Sequence, residues 1–191
     1  MKKILAFVAT AILLSAIAVA QEDVYWVTYY SNRNNAVGAD AFVRIVNPGL
    51  QGSPLSENQG TVCADIYVFD DEQEMVECCA CPITANALLE FSLDTNLVQN
   101  PLTGIPPPNS GVIKLVSDLG SNCNPQAPIL TQDVRAWATH LQQPVADGYI
   151  STEDKFLRAP LSASEQAFLG ETCAFVIYLG NGFKGQCTCP F

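Results

Sequence analysis

Eight of the 191 residues are cysteine, and five of them form two tight groups, Cys78-Cys79-x-Cys81 and Cys187-x-Cys189. The others are Cys63, Cys123 and Cys173. What eight thiols impose on a fold depends on the redox compartment the chain reaches, and the N-terminus bears on that. Met1-Lys2-Lys3 is followed by an apolar run from Ile4 to Ile17 and then by Ala18-Val19-Ala20. A positive start, a short apolar stretch and an A-x-A end describe a secretory signal peptide over residues 1–20. The run is shorter than the roughly 20 residues a membrane span needs. Residue 21 is Gln, so the cut exposes no cysteine for acylation. Cleavage after Ala20 leaves 171 residues that hold all eight cysteines. In an oxidising compartment an even number of cysteines predicts disulfides.

Geometry restricts the pairing. Consecutive Cα atoms are about 3.8 Å apart, below the usual disulfide window of about 4.4–6.8 Å, so Cys78 and Cys79 are not expected to join each other. On a strand they point to opposite faces, whereas Cys79 and Cys81 share one, as do Cys187 and Cys189. The spacing suggests that the 79/81 pair meets the 187/189 pair. The rival chemistry is a thiolate site for zinc or copper(I). The acidic flank Asp70, Asp71, Glu72, Glu74 and Glu77 would raise a thiol pKa and so disfavours a vicinal redox disulfide.

Removing the leader takes away Lys2 and Lys3 and leaves 7 basic against 19 acidic residues, a net charge of −12. Nucleic-acid binding lacks its basic footprint here, and anionic lipid headgroups are repelled. No later stretch reaches membrane-spanning length. With 49% of residues apolar and 15% charged, the chain is not a disordered tail. Residues 21–191 read as one domain, large enough to bury about 70% of its unfolded surface.

Alternation and β-branched content predict strands at Val24–Ser31, Ala41–Val46, Val62–Phe69, Met75–Cys81, Leu88–Leu93, Gly111–Ser117, Val134–Leu141, Cys173–Leu179 and Phe183–Cys189. Asn47-Pro48-Gly49 and Gly180-Asn181-Gly182 mark turns. A capping box, Ser162-x-x-Glu165, opens one helix of about two turns that ends at Gly170. Asn100–Ser110 reads as a Pro-rich extended loop, and Ser121–Thr131 as a second loop pinned by Cys123. An echo between TVCADIYV around Cys63 and ETCAFVIY around Cys173 reads as two similar core strands.

The segments CADIYVFDDEQEMVECCACPIT, RAWATHLQ and LSASEQAFLGETCAF, with the closing CTC, resemble a family of secreted bacterial cysteine-rich proteins that has no assigned function. The resemblance spans most of the chain after the leader. It implies an exported, disulfide-bonded domain and supplies no catalytic residue, cofactor or substrate.

Chemistry-bearing motifs are few. His140 is the single histidine, on a strand face shared with Ala136 and Ala138. A hydrolytic triad would have to build on it with Asp133 or Asp147, and no G-x-S-x-G turn supplies a nucleophile. The acids Asp70, Asp71, Glu72, Glu74 and Glu77 fall in a hairpin turn. Calcium is their sharper use, but their spacing is not that of an EF-hand loop. The aromatics Tyr25 and Tyr29 share one face of the first strand and Trp26 and Tyr30 the other. This strand belongs to its own sheet or is lent to a neighbouring subunit.

The sequence therefore predicts an all-β, antiparallel, disulfide-stabilised sandwich of about nine strands with one short helix. All eight cysteines are assigned to disulfides, and no catalytic residue, metal ligand or cofactor is assigned. The expected role is a secreted or cell-surface structural or adhesive binding domain. It would lie outside the cell, at its surface or in the periplasm, with an extracellular or envelope partner. Two alternatives stand beside it: an extracellular carboxylate-dependent hydrolase and an extracytoplasmic metal-binding protein.

Overall fold

The computed structural model describes residues 23–31, 40–51, 60–102, 109–145, 148–180 and 184–190. The leader, residues 103–108 of the Pro-rich loop, Asp147, residues 181–182 of the second turn and residue 183 of the last expected strand lie outside the described residues.

Among the described residues nine strands and one α-helix follow in chain order: β1 (Tyr25–Ser31), β2 (Phe42–Val46), β3 (Val62–Asp70), β4 (Met75–Ile83), β5 (Leu88–Ser92), β6 (Ser110–Leu119), β7 (Arg135–Val145), β8 (Gly148–Lys155), β9 (Leu157–Arg158) and α1 (Ala163–Leu179). A single π-helical turn, Leu93–Leu97, follows β5. The strands make two sheets, one in the order β4-β3-β6-β1-β9 and the other β5-β2-β7-β8. Every strand pairing is antiparallel. The chain is thus an all-β antiparallel sandwich carrying one helix.

The apolar alternation of the strands decides which sides are covered. On β3, Val62, Ala64, Ile66 and Val68 face the second sheet, where they join Trp26, Val43, Ile45, Phe91 and Leu115 in the interlayer core. The intervening Tyr67 and Phe69 turn outward, and α1 covers them with Leu169, Cys173 and Val176. β3 is therefore buried along nearly its whole length, as expected for a strand packed on both faces. Each such large apolar side chain contributes roughly 1.5–3 kcal/mol on burial. Asn47 closes one end of the core. Its buried amide donates to the carbonyls of Gly60 (2.7 Å) and Ile83 (2.9 Å) and accepts from the Gly49 N–H (2.8 Å). Gly49 itself has φ +79°, the left-handed region in which glycine is unstrained.

Four disulfides tie these layers together: Cys63–Cys123, Cys78–Cys173, Cys79–Cys187 and Cys81–Cys189. Their Cα separations are 5.3, 5.8, 5.4 and 5.6 Å. The neighbours Cys78 and Cys79 point to opposite faces of β4, so one holds α1 and the other holds the C-terminal segment.

The first seven expected strands are present, and the last two are not. Cys173–Leu179 is helix, and 184–190 is irregular apart from a bridge between Gln186 and Cys78. The β-rich look of CAFVIYL loses to packing, because Leu169, Gly170, Cys173 and Val176 bury one helical face on the sheet. The helix begins as the capping box requires, with the Ser162 hydroxyl accepting from the Glu165 N–H at 3.1 Å. It does not stop at Gly170. A Cβ there would lie 2.3 Å from the Gln126 carbonyl oxygen, so this glycine permits close contact with the 121–131 loop. The helix ends at Gly180, whose N–H donates to the Val176 carbonyl. The echo around Cys63 and Cys173 is therefore not a pair of similar core strands, because the Cys63 copy is strand and the Cys173 copy is helix. The unforeseen strand β8 is an edge strand whose described side chains are exposed, so it carries no apolar alternation to read. β7 runs on past its expected end through a register shift between Leu141 and Pro144, and such a shift is where a strand accommodates proline.

Candidate binding cleft

Beside the short pairing of β9 with β1, the outer face of the first sheet is not covered by α1. A cleft of about 820 Å³ opens there. Val27 and Tyr29 of β1, Val112 of β6, and Leu157 and Ala159 form its apolar wall, while Asp154, Lys155 and Arg158 bring charge to it. Tyr29 and Leu157 are 51% and 74% exposed, so two large apolar side chains stand open to solvent on one concave surface.

His140 fixes the floor. Its strand, β7, belongs to the second sheet, yet the ring lies parallel to that of Tyr29 at 3.9 Å. Nε2 sits 2.9 Å from the Tyr29 carbonyl oxygen. A carbonyl only accepts, so Nε2 carries the proton and donates. Nδ1 lies 3.4 Å from the exposed Asp154 carboxylate. Ser31 adds a second link between the same strands by donating to the Leu141 carbonyl at 3.2 Å. The histidine thus ties the two sheets together, and its fully buried ring spends one nitrogen on a main-chain carbonyl. Of the two acids considered as its partners, Asp133 is not among the cleft's described lining residues, and Asp147 lies outside the described residues. The acid at the ring is Asp154, which the β8 sequence did not advertise.

The other expected sites separate. Asp70, Asp71, Glu72 and Glu74 belong to the β3–β4 turn, where Asp70 Oδ1 accepts from the Glu72 and Glu74 N–H groups at 3.0 and 2.8 Å. Glu77 leaves them and points inward. It is buried, accepts from the Asn100 N–H at 2.6 Å, and burial pushes its pKa up to about 8. Among the described residues one group of metal-ligating side chains comes within 4.8 Å, namely Cys79, Cys81 and Cys189, and all three are in disulfides.

Two buried acids on the outer face of the first sheet gave no sequence signal. The Asp118 carboxylate organises the 121–131 loop, accepting from Asn122 Nδ2 (2.9 Å), the Asn124 N–H (3.0 Å) and the Ile129 N–H (2.7 Å). Asp65 is fully buried nearby with neither oxygen hydrogen-bonded. Burial first, and the Asp118 charge second, push its pKa up to about 9. Tyr67 on the same face donates to the Pro125 carbonyl at 2.7 Å. Asp118 and Tyr67 pin a loop to a sheet, and all three groups are buried.

No family model matches the chain, and no curated protein matches it. Two solved structures are similar in outline. One, described as the crystal structure of Thermotoga maritima 1070, is 14% identical with a TM-score of 0.44 and covers 71% of this chain and 93% of its own. The other, the Anabaena sensory rhodopsin transducer, is 14% identical with a TM-score of 0.35 and covers 51% of this chain and 88% of its own. Likenesses this distant carry no argument about function. Among the described residues no helix is long and apolar enough to cross a membrane.

Proposed function

We propose that this chain is an exported, non-enzymatic binding domain of structural or adhesive type, and that its ligand occupies the cleft beside His140. One observation carries the reading: the cleft is a concave apolar surface with a few charged groups at its edge, the usual make-up of a binding site. The stacked Tyr29–His140 pair gives it a rigid aromatic side. A hydrolytic use finds less support. Glycoside hydrolysis uses a pair of carboxylates, and Asp154 is the one acid among the described lining residues. A histidine base needs its free nitrogen to face a nucleophile, whereas the group facing Nδ1 of His140 is the Asp154 carboxylate at 3.4 Å. The four disulfides and the leader-like N-terminus support export.

The apolar wall beside Lys155 and Arg158 suits an aromatic ligand that bears an anionic group. Anilinonaphthalene sulfonate is a direct probe. In ¹H–¹⁵N spectra its addition should shift the amides of Val27, Tyr29, Leu157 and Arg158 first, and Leu157→Asp should weaken binding about tenfold or more. Shifts centred on the exposed helix residues Phe175 and Tyr178, with the cleft unmoved, would overturn the assignment.

A further inference from the structure

We propose that the neighbouring Cys79–Cys187 and Cys81–Cys189 bonds form a thiol–disulfide exchange site. It takes two electrons from a dithiol, closing a Cys79–Cys81 bond as Cys187 and Cys189 are released. The carrying observation is placement. Cys79 and Cys81 face the same way on β4, opposite Ile66 and Ala64 of β3, and their sulfurs are 3.9 Å apart. The Cys189 sulfur lies within 4.8 Å of both. Two strand residues on one face stand about 6.6 Å apart, inside the window a disulfide accepts. Closing a Cys79–Cys81 bond also draws the two Cβ atoms to about 3.5–4.5 Å, so β4 tightens locally as the bond forms. Cys78 does not compete, because it points away and holds Cys173.

Access sets the order of events. Cys79 and Cys189 are partly exposed at the rim of the interlayer core, whereas Cys63, Cys78, Cys81 and Cys173 are fully buried. A substrate thiolate attacks the Cys189 sulfur, forming a mixed disulfide and expelling Cys81 as a thiolate. Cys81 then attacks Cys79, and the Cys79–Cys187 bond breaks with Cys187 leaving as a thiolate. The second substrate thiol attacks the mixed disulfide at the substrate's own sulfur and expels Cys189. The substrate departs as a disulfide, its two protons pass to Cys187 and Cys189, and the protein keeps one bond of the original two. Glu77 shares this face of β4. Held neutral by burial below about pH 8, it places no anion against the developing thiolates.

The test uses the intact oxidised protein. One equivalent of dithiothreitol is added at pH 7, followed by an acid quench, alkylation with N-ethylmaleimide and peptide mapping. The expected product carries label on Cys187 and Cys189, a Cys79–Cys81 bond within one peptide, and intact Cys63–Cys123 and Cys78–Cys173 bonds. Label on Cys81 together with Cys189 would show that one bond opens with no relay, and overturns the proposal. Label on Cys63 or Cys123, or no reaction, overturns it equally.

Discussion

Asp65 holds both carboxyl oxygens without a hydrogen bond beneath the loop that Asp118 organises. An unfolded aspartate titrates near 4, whereas this one titrates near 9 when folded. Between those values the unfolded chain releases a proton that the folded chain retains, so stability falls as pH rises through that window. Glu77 adds a slope of the same sign up to about pH 8. Asp65→Asn should flatten the dependence and be more stable than the parent at pH 8 by on the order of a few kcal/mol, with the gap closing below pH 4. Urea unfolding at pH 4, 6 and 8 checks this, and a gap that is equal at all three would refute the neutral-acid assignment. His140 works through contact. His140→Ala removes a stacked ring and a hydrogen bond between the sheets, and should lower stability by about 2–4 kcal/mol. Unchanged urea midpoints would show that the link is dispensable. The sequence placed His140 on the correct strand face, because alternation sets faces. It could not supply Asp154 or Asp65, since an acid within a polar edge strand and one between apolar neighbours look alike until the layers meet.

Elements were legible where a face alternates. β1 to β7 each pack one face on the interlayer core, and their residues carry that period. α1 carries two signals that disagree. Ser162 and Glu165 mark a helix start, while Cys173 to Leu179 favours a strand, and the cap with the buried Leu169–Cys173–Val176 face prevails. Gly170 is the residue most misread in isolation. Gly170→Ala is compatible with helix propensity and should gain there, yet its Cβ would meet the Gln126 carbonyl at 2.3 Å. The substitution should therefore destabilise by about 1–3 kcal/mol through overpacking. Ser162→Ala should cost about 1 kcal/mol through the lost cap. Thermal melts of the two variants separate the effects, and a Gly170→Ala protein more stable than its parent would show that the 121–131 loop yields.

Across the whole molecule β1 is an inner strand of its own sheet, with β6 on one side and β9 on the other. Gel filtration at micromolar concentration should therefore give a monomer, and deletion of residues 24–31 should unfold the chain; a stable filament would reverse that reading. Each disulfide adds about 2–4 kcal/mol, more for longer loops, against a usual net stability of about 5–15 kcal/mol. Removing Cys78 and Cys173 together should loosen α1 and lower stability by about 2–5 kcal/mol, measurable by urea unfolding of the double alanine variant. Full reduction should unfold the protein at room temperature. The same four bonds also decide how the chain survives damage. Their spans overlap from Cys63 to Cys189, so a single peptide-bond cleavage anywhere in that stretch leaves both pieces on one covalent body. A protease that nicks a surface loop between Cys63 and Cys189 would change the number of chain ends without releasing a fragment.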